Sequence, residues 1–374
     1  MDKIRIGIIG AGKVAHFHAK AFAGIDNCEF AGVWNHNRAR AEEFAAQYGV
    51  KAYATLEEMA ADGVKAVTIA TPHPAHAAGA CEAARLGMAV AVEKPLASTL
   101  ADCDAIIEAV KESGVVGSMI SQRRYYEPVV RLKKAIDEGK IGRPIMGSVN
   151  VLSWRDMEYY HSDPWRGTWE GEGGGVLVNQ AVHQLDLFCW FMGEIEEVFG
   201  YWDTLNHPEL EVDDTAMAVV RFKSGALGNV FVSNSTNPGL FGNVRVTGEN
   251  GATVGVQTDG GAMFIAGVTS IAEPPVNDLW TVPGEADKLA DYRKADADFF
   301  NSIDSATHYH RLQLADFVDA VQTGREPAVP LTDGRRAVEL FTAIYRSGVT
   351  GKPVKFPLKP EPGEGAWGSG RRMK

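Results

Sequence analysis

The chain has 374 residues, 45% hydrophobic and 23% charged, with 37 basic against 48 acidic side chains and a formal net charge of -11. That length suggests two domains with a real core in each, and no apolar run approaches the roughly 20 residues of a membrane-spanning helix, so no membrane span is expected. The acidic balance disfavours attraction to nucleic-acid phosphate or anionic lipid, and the basic cluster of Arg131, Lys133, Lys134, Lys140 and Arg143 is interrupted by Asp137 and Glu138 on what reads as a solvated helix.

Residues 4–9, Ile-Arg-Ile-Gly-Ile-Ile, form the first expected strand; the run stops in Gly10-Ala11-Gly12 and passes through Lys13, Val14 and Ala15 into a helix-forming segment. A strand, a tight glycine turn and a helix can hold the pyrophosphate of a dinucleotide. Gly10 permits the turn, Gly12 removes the side chain that would block a phosphate, and Ala15 lets helix and strand approach. Backbone N–H groups at the helix start then face the anion. Met1-Asp2-Lys3 lead straight into this strand, leaving no room for a secretory leader, and Cys28, Cys81, Cys103 and Cys189 form no CxxC pair. Reduced packing cysteines and a cytoplasmic location are the expectation.

Apolar runs at 29–34, 66–70, 88–92 and 115–120 alternate with segments rich in Ala, Glu and Lys. The alternation predicts crossover units and a parallel sheet, whose ligands sit beyond the carboxyl ends of the strands. The run ending at Trp34 leads into Asn35, His36 and Arg38. A carboxylate here would grip the adenosine ribose and repel a 2'-phosphate; Asn35 is neutral and Arg38 and Arg40 are close, so NAD and NADP both stay open. The next strand ends in Thr71-Pro72-His73-Pro74-Ala75-His76, and the one after it in Glu93-Lys94-Pro95. Lys94, flanked by Pro95 after a buried-looking strand, is held in a fixed direction, unlike an ordinary surface lysine.

Strand-like runs at 145–153, 195–203, 215–223, 226–234 and 242–248 follow one another with turn signals such as Lys223-Ser224-Gly225, and the lack of crossover helices predicts antiparallel pairing. Before Gly173-Gly174-Gly175 lies a loop carrying Trp154, Arg155, Tyr159, Tyr160, Trp165, Arg166 and Trp169. Flat aromatic faces among charged groups suit a carbohydrate ring; one or two of these rings are expected instead to anchor the loop. Asn179 and His183 are four apart and would share a helical face, with Asp186 three further along. Asp186 either holds the imidazole in one tautomer or caps a helix. His183 and Asp186 lack a clear third ligand, so no metal is expected. Residues 268–305, with Glu273-Pro274-Pro275, read as a long connection, either a lid or a partner-contacting arm. Residues 306–323 and 334–347 have helical periodicity, and the stretch from Pro357 reads as a loosely held tail. The expected division is 1–122, 123–356 and a tail at 357–374.

The segments GAGKVAHFHAKAF at 10–22, TPHPAH at 71–76, EKP at 93–95, GGGVLVNQAVHQLDLFCWFMG at 173–193, EVDDTAMAVVRFKSG at 211–225 and HRLQLADFVDAVQTGREPAVPLTDG at 310–334, in this order and spacing, resemble the Gfo/Idh/MocA family of sugar and inositol dehydrogenases. The resemblance implies an N-terminal Rossmann domain binding NAD or NADP, and a C-terminal domain with an open, mostly antiparallel sheet whose face mediates homo-oligomerisation. It assigns cofactor contacts to Gly10, Ala11, Gly12, Lys13, Val14, Asn35, His36, Arg38, Thr71, Pro72, His73, His76, Glu93 and Lys94. It places the chemistry where the domains meet, with Lys94 and His183 as the catalytic pair. The family usually has Asp where this chain has Asn179, and a neutral amide suits a hydrogen-bonding substrate holder better than a proton relay. Arg124 and Tyr125 match the segment near the sugar, beside a loop contributing Trp154, Arg155, Tyr160, Trp165, Arg166 and Trp169. Arg123 departs from the more usual Asn and is either a contact for a substrate carboxylate or a surface residue.

The reaction so implied transfers a hydride between a secondary alcohol carbon and the nicotinamide, His183 accepting the hydroxyl proton at a reference pKa near 6.5 and Lys94 steadying the developing oxyanion. The loop Trp165-Arg166-Gly167-Thr168-Trp169 and Asn179 favour members that oxidise the C3 hydroxyl of glycosides or hexuronates. An NAD-dependent glycosidase acting by transient C3 oxidation and elimination is the competing reading, and a non-catalytic nucleotide-binding regulator is a third.

Overall fold

The computed structural model describes residues 3–260 and 273–368, and they fall into two compact units. The first comprises residues 1–97, 101–122 and 304–335, the second 98–100, 123–303 and 336–374. This differs from a single boundary at 122. Helix Ser305–Thr323 returns to the first unit because Leu314, Phe317 and Val318 share a buried core with Ile6, Ile8 and Phe22.

The first unit is built on six parallel strands, β1 (Ile4–Ile9), β2 (Cys28–Trp34), β3 (Lys51–Ala52), β4 (Ala66–Ile69), β5 (Ala89–Val92) and β6 (Gly117–Met119), in the order β3-β2-β1-β4-β5-β6. Every residue of β4 and β5 is buried, as expected where helices cover both faces of a parallel sheet and both sides of each strand are apolar. The order reverses at β1, and its carboxyl end is the crevice where doubly wound sheets take ligands.

The second unit holds eight strands: β7 (Pro144–Leu152), β8 (Ile195–Asp203), β9 (Thr215–Phe222), β10 (Leu227–Ser233), β11 (Phe241–Gly248), β12 (Thr253–Asp259), β13 (Val276–Trp280) and β14 (Val354–Lys355). Their order is β13-β12-β11-β7-β10-β9-β8-β14. The expected antiparallel pairing holds throughout except between β7 and β10, which run parallel because the chain returns to β7 after the β8–β9 pair. Period-2 alternation sets the two faces: in β9 Ala216, Ala218, Val220 and Phe222 are buried and Met217, Val219 and Arg221 exposed. Helix Val182–Met192 lies under this sheet, and a Cβ on Gly147 or Gly228 would come within 2.8 Å of the Phe188 ring.

Two expectations are corrected. The connection 268–305 is regular structure over most of its described part: β13 pairs with β12, helix Leu289–Asn301 follows, and Arg131 fixes it through a two-pronged bond to Asp296. Residues 268–272 lie outside the described residues. The tail from Pro357 is anchored as far as Gly368: Arg346 pairs with Glu361 and Glu364, Leu358 N–H donates to Glu339, and Trp367 stacks on Tyr345. Its last six residues also lie outside the described range. Among the described residues no helix is long and apolar enough to cross a membrane.

Candidate active site

The turn after β1 has the geometry its sequence demands. Gly10 has φ +113°, and a Cβ there would meet Ala70 O at 2.5 Å, so only glycine allows the turn to pass so close to β4. Gly12 is the N-cap of helix Lys13–Phe22 and contributes no capping side chain, while Ala15 is fully buried against the sheet. This is a cradle that a dinucleotide phosphate fits, with Ala11, Lys13 and Val14 completing the turn.

The cofactor candidates at the ends of the next strands divide by what the structure does with them. The Asn35 Oδ1 accepts from Asn37 N–H, and Asn37 in turn caps helix Arg38–Tyr48. Arg38 donates to Glu42 and to Ala52 O at 3.0 Å, which ties it to its own helix and to β3. His36 lies between them in the same bend. Thr71 and Pro72 lead into the short helical turn His73–Ala75. Fully buried His76 has Nδ1 2.9 Å from Pro95 O and Nε2 3.0 Å from Thr71 O, between two strand-end loops; burial lowers its pKa, and the neutral ring donates to one of the two carbonyls.

Lys94 follows β5 directly, half-buried, and its backbone N–H bonds the Glu93 carboxylate at 3.1 Å. Glu93, an expected cofactor contact, has internal partners. It is buried, bonded to His18 Nε2 at 2.9 Å, with His310 Nε2 at 3.8 Å. Burial works to raise this carboxyl, but the His18 hydrogen bond and the nearby His310 and Lys94 bring it down to about 2. His310 is pulled down to about 4 by burial, and its Nδ1 donates to Ala306 O. Among the described residues these three form a group able to hold a metal ion, ligand atoms within 4.8 Å of one another; the direct His18–Glu93 bond already satisfies two of them. His18 sits on the phosphate-turn helix, in the segment HFH, and its spacing from that turn is the signal that sequence reading passed over.

In the second unit, Gly175 and Leu177 N–H both donate to the Asp213 carboxylate, which also accepts from Tyr345 Oη. A Cβ on Gly175 would lie 1.8 Å from Asp213 O, so this glycine lets the segment before β9 press against the triple-glycine turn. Burial raises the Asp213 carboxyl to about 6. The turn presents Asn179 half-buried, then His183 buried in the first turn of helix Val182–Met192. Asn179 Nδ2 donates to Glu172 and to Tyr159 Oη. Glu172, a buried carboxyl raised to about 7 by desolvation, was not singled out from sequence.

Asp186 is buried. It receives both prongs of Arg124, Nε at 2.8 Å and Nη2 at 2.5 Å, while the guanidinium lies 4.7 Å over the Trp190 ring. Arg124 is therefore a buried cation with its ion-pair partner inside the second unit. Arg123 is not a surface residue: it pairs with Asp259 and Thr258 of β12. Tyr125 closes the short turn Gln122–Tyr125, half-buried.

The aromatic loop is packed more tightly than its sequence suggested. Trp169 is core: Nε1 donates to Gly368 O, and the ring meets Trp202 and Tyr345 edge-on. Tyr160 is buried too, its Oη taking a bond from Asn234 and its ring 5.5 Å from His207. His207 bridges Asp214 Oδ2 at 3.0 Å and Arg155 O at 2.7 Å, so it pins the loop. The Arg166 guanidinium lies 4.3 Å over Tyr159 and 4.4 Å over Trp165, and Arg155 packs on the same Tyr159 ring. Half-buried Trp154 and Trp165 are the two indoles of the loop outside the core.

A parallel dinucleotide-type sheet with a glycine cradle, in one chain with a mostly antiparallel sheet, is the architecture of a nicotinamide-dependent oxidoreductase of the Rossmann class. Residues 4–121 match the model described as oxidoreductase family, NAD-binding Rossmann fold, and residues 129–254 match the GFO/IDH/MocA C-terminal domain. The chain belongs to the Gfo/Idh/MocA family. It is 27% identical over 370 residues to scyllo-inositol 2-dehydrogenase (NAD(+)) of Bacillus subtilis (strain 168), covering 96% of this chain and 97% of that one. It is 29% identical over 359 residues to myo-inositol 2-dehydrogenase of Thermotoga maritima, covering 94% and 98%. The WlbA dehydrogenase of Bordetella pertussis, solved in complex with NADH and UDP-GlcNAcA, superposes with a TM-score of 0.79 at 31% identity, covering 96% of this chain and all of that one.

Proposed function

We propose that this chain is an NAD-linked dehydrogenase of a secondary hydroxyl on a sugar, glycoside or cyclitol, with C3 of a glycoside as the preferred carbon. One observation carries the reading: the glycine cradle and Lys94 follow strands β1 and β5 at the same edge of an NAD-binding unit, with β4 between them, and the second unit presents His183 and Asn179 from a single glycine turn. Bound NAD supplies the hydride acceptor. His183 takes the hydroxyl proton, Lys94 offers a compact cationic donor to the same oxygen as negative charge develops, and Asn179 holds the sugar. Relatives acting on inositols and one solved with a nucleotide-linked hexuronate support a polyhydroxylated ring as substrate. Four unpaired, buried thiols suit a cytoplasmic setting.

Self-assembly through the second sheet belongs to the same reading. Tyr201, Met217, Val219, Leu227 and Met146 are all half-exposed or more, and the pairing Tyr201–Met217 and Met146–Leu227 makes them one apolar face.

The test is an absorbance screen at the reduced-nicotinamide band over inositols, glucosides and uronates, followed by Lys94→Met and His183→Ala. Each substitution is expected to lower kcat by about 10²–10⁴-fold while the NAD dissociation constant stays within a few-fold. A loss of NAD affinity as large as the loss of rate overturns both assignments, and sugar release without NADH points to the glycosidase reading.

A further inference from the structure

Glu172 is 1% exposed and gives each of its oxygens a different donor. Oε2 accepts the Gly167 backbone N–H at 2.7 Å, and Oε1 accepts from Asn179 Nδ2. The second hydrogen of the same amide goes to Tyr159 Oη at 3.2 Å. An amide has two N–H donors and one carbonyl acceptor. Both donors of Asn179 are committed inward, so toward a ligand its side chain works by acceptance. The carboxylate that enforces this is rigidly placed: Glu172 N–H bonds Thr168 O at 3.0 Å, Thr168 caps the short helix through Gly171 N–H, and Gly173 turns the chain away in the left-handed region.

We propose that Glu172 is a positioning residue for substrate binding: its carboxylate locks the Asn179 amide with both N–H bonds turned into the protein, so that Asn179 receives a substrate hydroxyl as an acceptor, and this lock is released when Glu172 is protonated. Only an ionised carboxylate can accept from Gly167 and Asn179 at once on separate oxygens. A glutamine, or the protonated acid, sets a hydrogen against one of the two donors, and the amide of Asn179 then gains a reason to turn over. The groups facing Glu172 bear on its titration from several elements. Arg166 favours the anion, and Asp213 opposes it. Tyr159, Tyr160 and Tyr345 stay neutral, raised by burial and by the Glu172 charge itself. Substrate should therefore bind more tightly as pH rises through the Glu172 transition.

The inference rests on Asn179 being a substrate contact, and the experiment separates the two. First, the Asn179 side-chain amide resonances of 15N-labelled protein are followed from pH 5.5 to 9. They are expected to shift with a midpoint near 7, and this shift should vanish in Glu172→Gln; an amide pair that ignores pH, or that titrates equally in Glu172→Gln, overturns the proposal whatever the substrate. Second, KM is measured against pH with scyllo-inositol and UDP-GlcNAcA as probes. Wild-type KM should fall with rising pH, Glu172→Gln should raise it about tenfold and flatten the profile with little change in kcat, and NAD affinity should hold. Asn179→Asp sets two carboxylates in contact and should invert the slope, KM rising at alkaline pH. An unchanged slope there sinks the lock. If the amide titrates but Asn179→Ala leaves KM untouched, the substrate-holding role of Asn179 fails and the inference falls with it.

Discussion

Gly10 and Glu172 mark the two extremes of what a residue discloses in isolation. Gly10 was legible because a left-handed backbone between a strand and a helix admits almost no other residue, and the Cβ clash with Ala70 bears this out. Glu172 was not, because a glutamate beside glycines reads as solvated; its burial depends on Asn179, Gly167 and Tyr159 arriving from elsewhere in the loop. The partners of Arg123 and Arg124 lie far along the chain, where spacing does not reveal them, whereas Arg38 meets Glu42 at i,i+4. Asn35 has a testable consequence at this scale. Its side chain only braces Asn37, so the position tolerates a carboxylate. Asn35→Asp is expected to lower kcat/KM with NADP at least tenfold relative to NAD, by repulsion of the 2'-phosphate. Equal ratios before and after would remove this residue from the ribose end of the cofactor.

At the scale of elements, periodicity located β1, β2, β4, β5 and the run β7 to β11 within a residue or two at most ends. Strands β3 and β14, two residues each, carry too short a pattern to register, and β13 was hidden behind Glu273-Pro274-Pro275, which reads as a connection. Helix Val182–Met192 was expected from the spacing of Asn179, His183 and Asp186, but it begins after Asn179, which stands in the preceding turn. Asp186 is buried with Arg124, and a buried ion pair broken on one side leaves an uncompensated charge. Arg124→Ala is thus expected to cost about 3–5 kcal/mol, read as a lower midpoint in urea, while the reverse pairing Arg124→Met with Asp186→Leu should recover most of it. A single variant as stable as the parent would mean that water reaches Asp186 freely.

For the molecule as a whole, the order of parallel and antiparallel strands was readable from the presence or absence of intervening helices, whereas the β7–β10 parallel pair was not, because it joins segments separated by two other strands. The exposed apolar face of β7 to β10 is the corresponding prediction. A chain of net charge -11 that gains another anion in that patch should resist association, so Val219→Glu is expected to reduce the assembly mass measured by light scattering. Unaltered mass would place the contact between copies on another surface.

The return of helix Ser305–Thr323 to the first core has a consequence for biosynthesis. The nucleotide-binding half cannot close its interior when residue 122 leaves the ribosome, since Leu314, Phe317 and Val318 have yet to be made. The usual vectorial sequence, N-terminal half first, is unavailable to this topology. The second unit waits longer still, because its residues 336–374, β14 and Tyr345 among them, follow that helix in the chain, so each half keeps an open flank until the last stretch of chain is made.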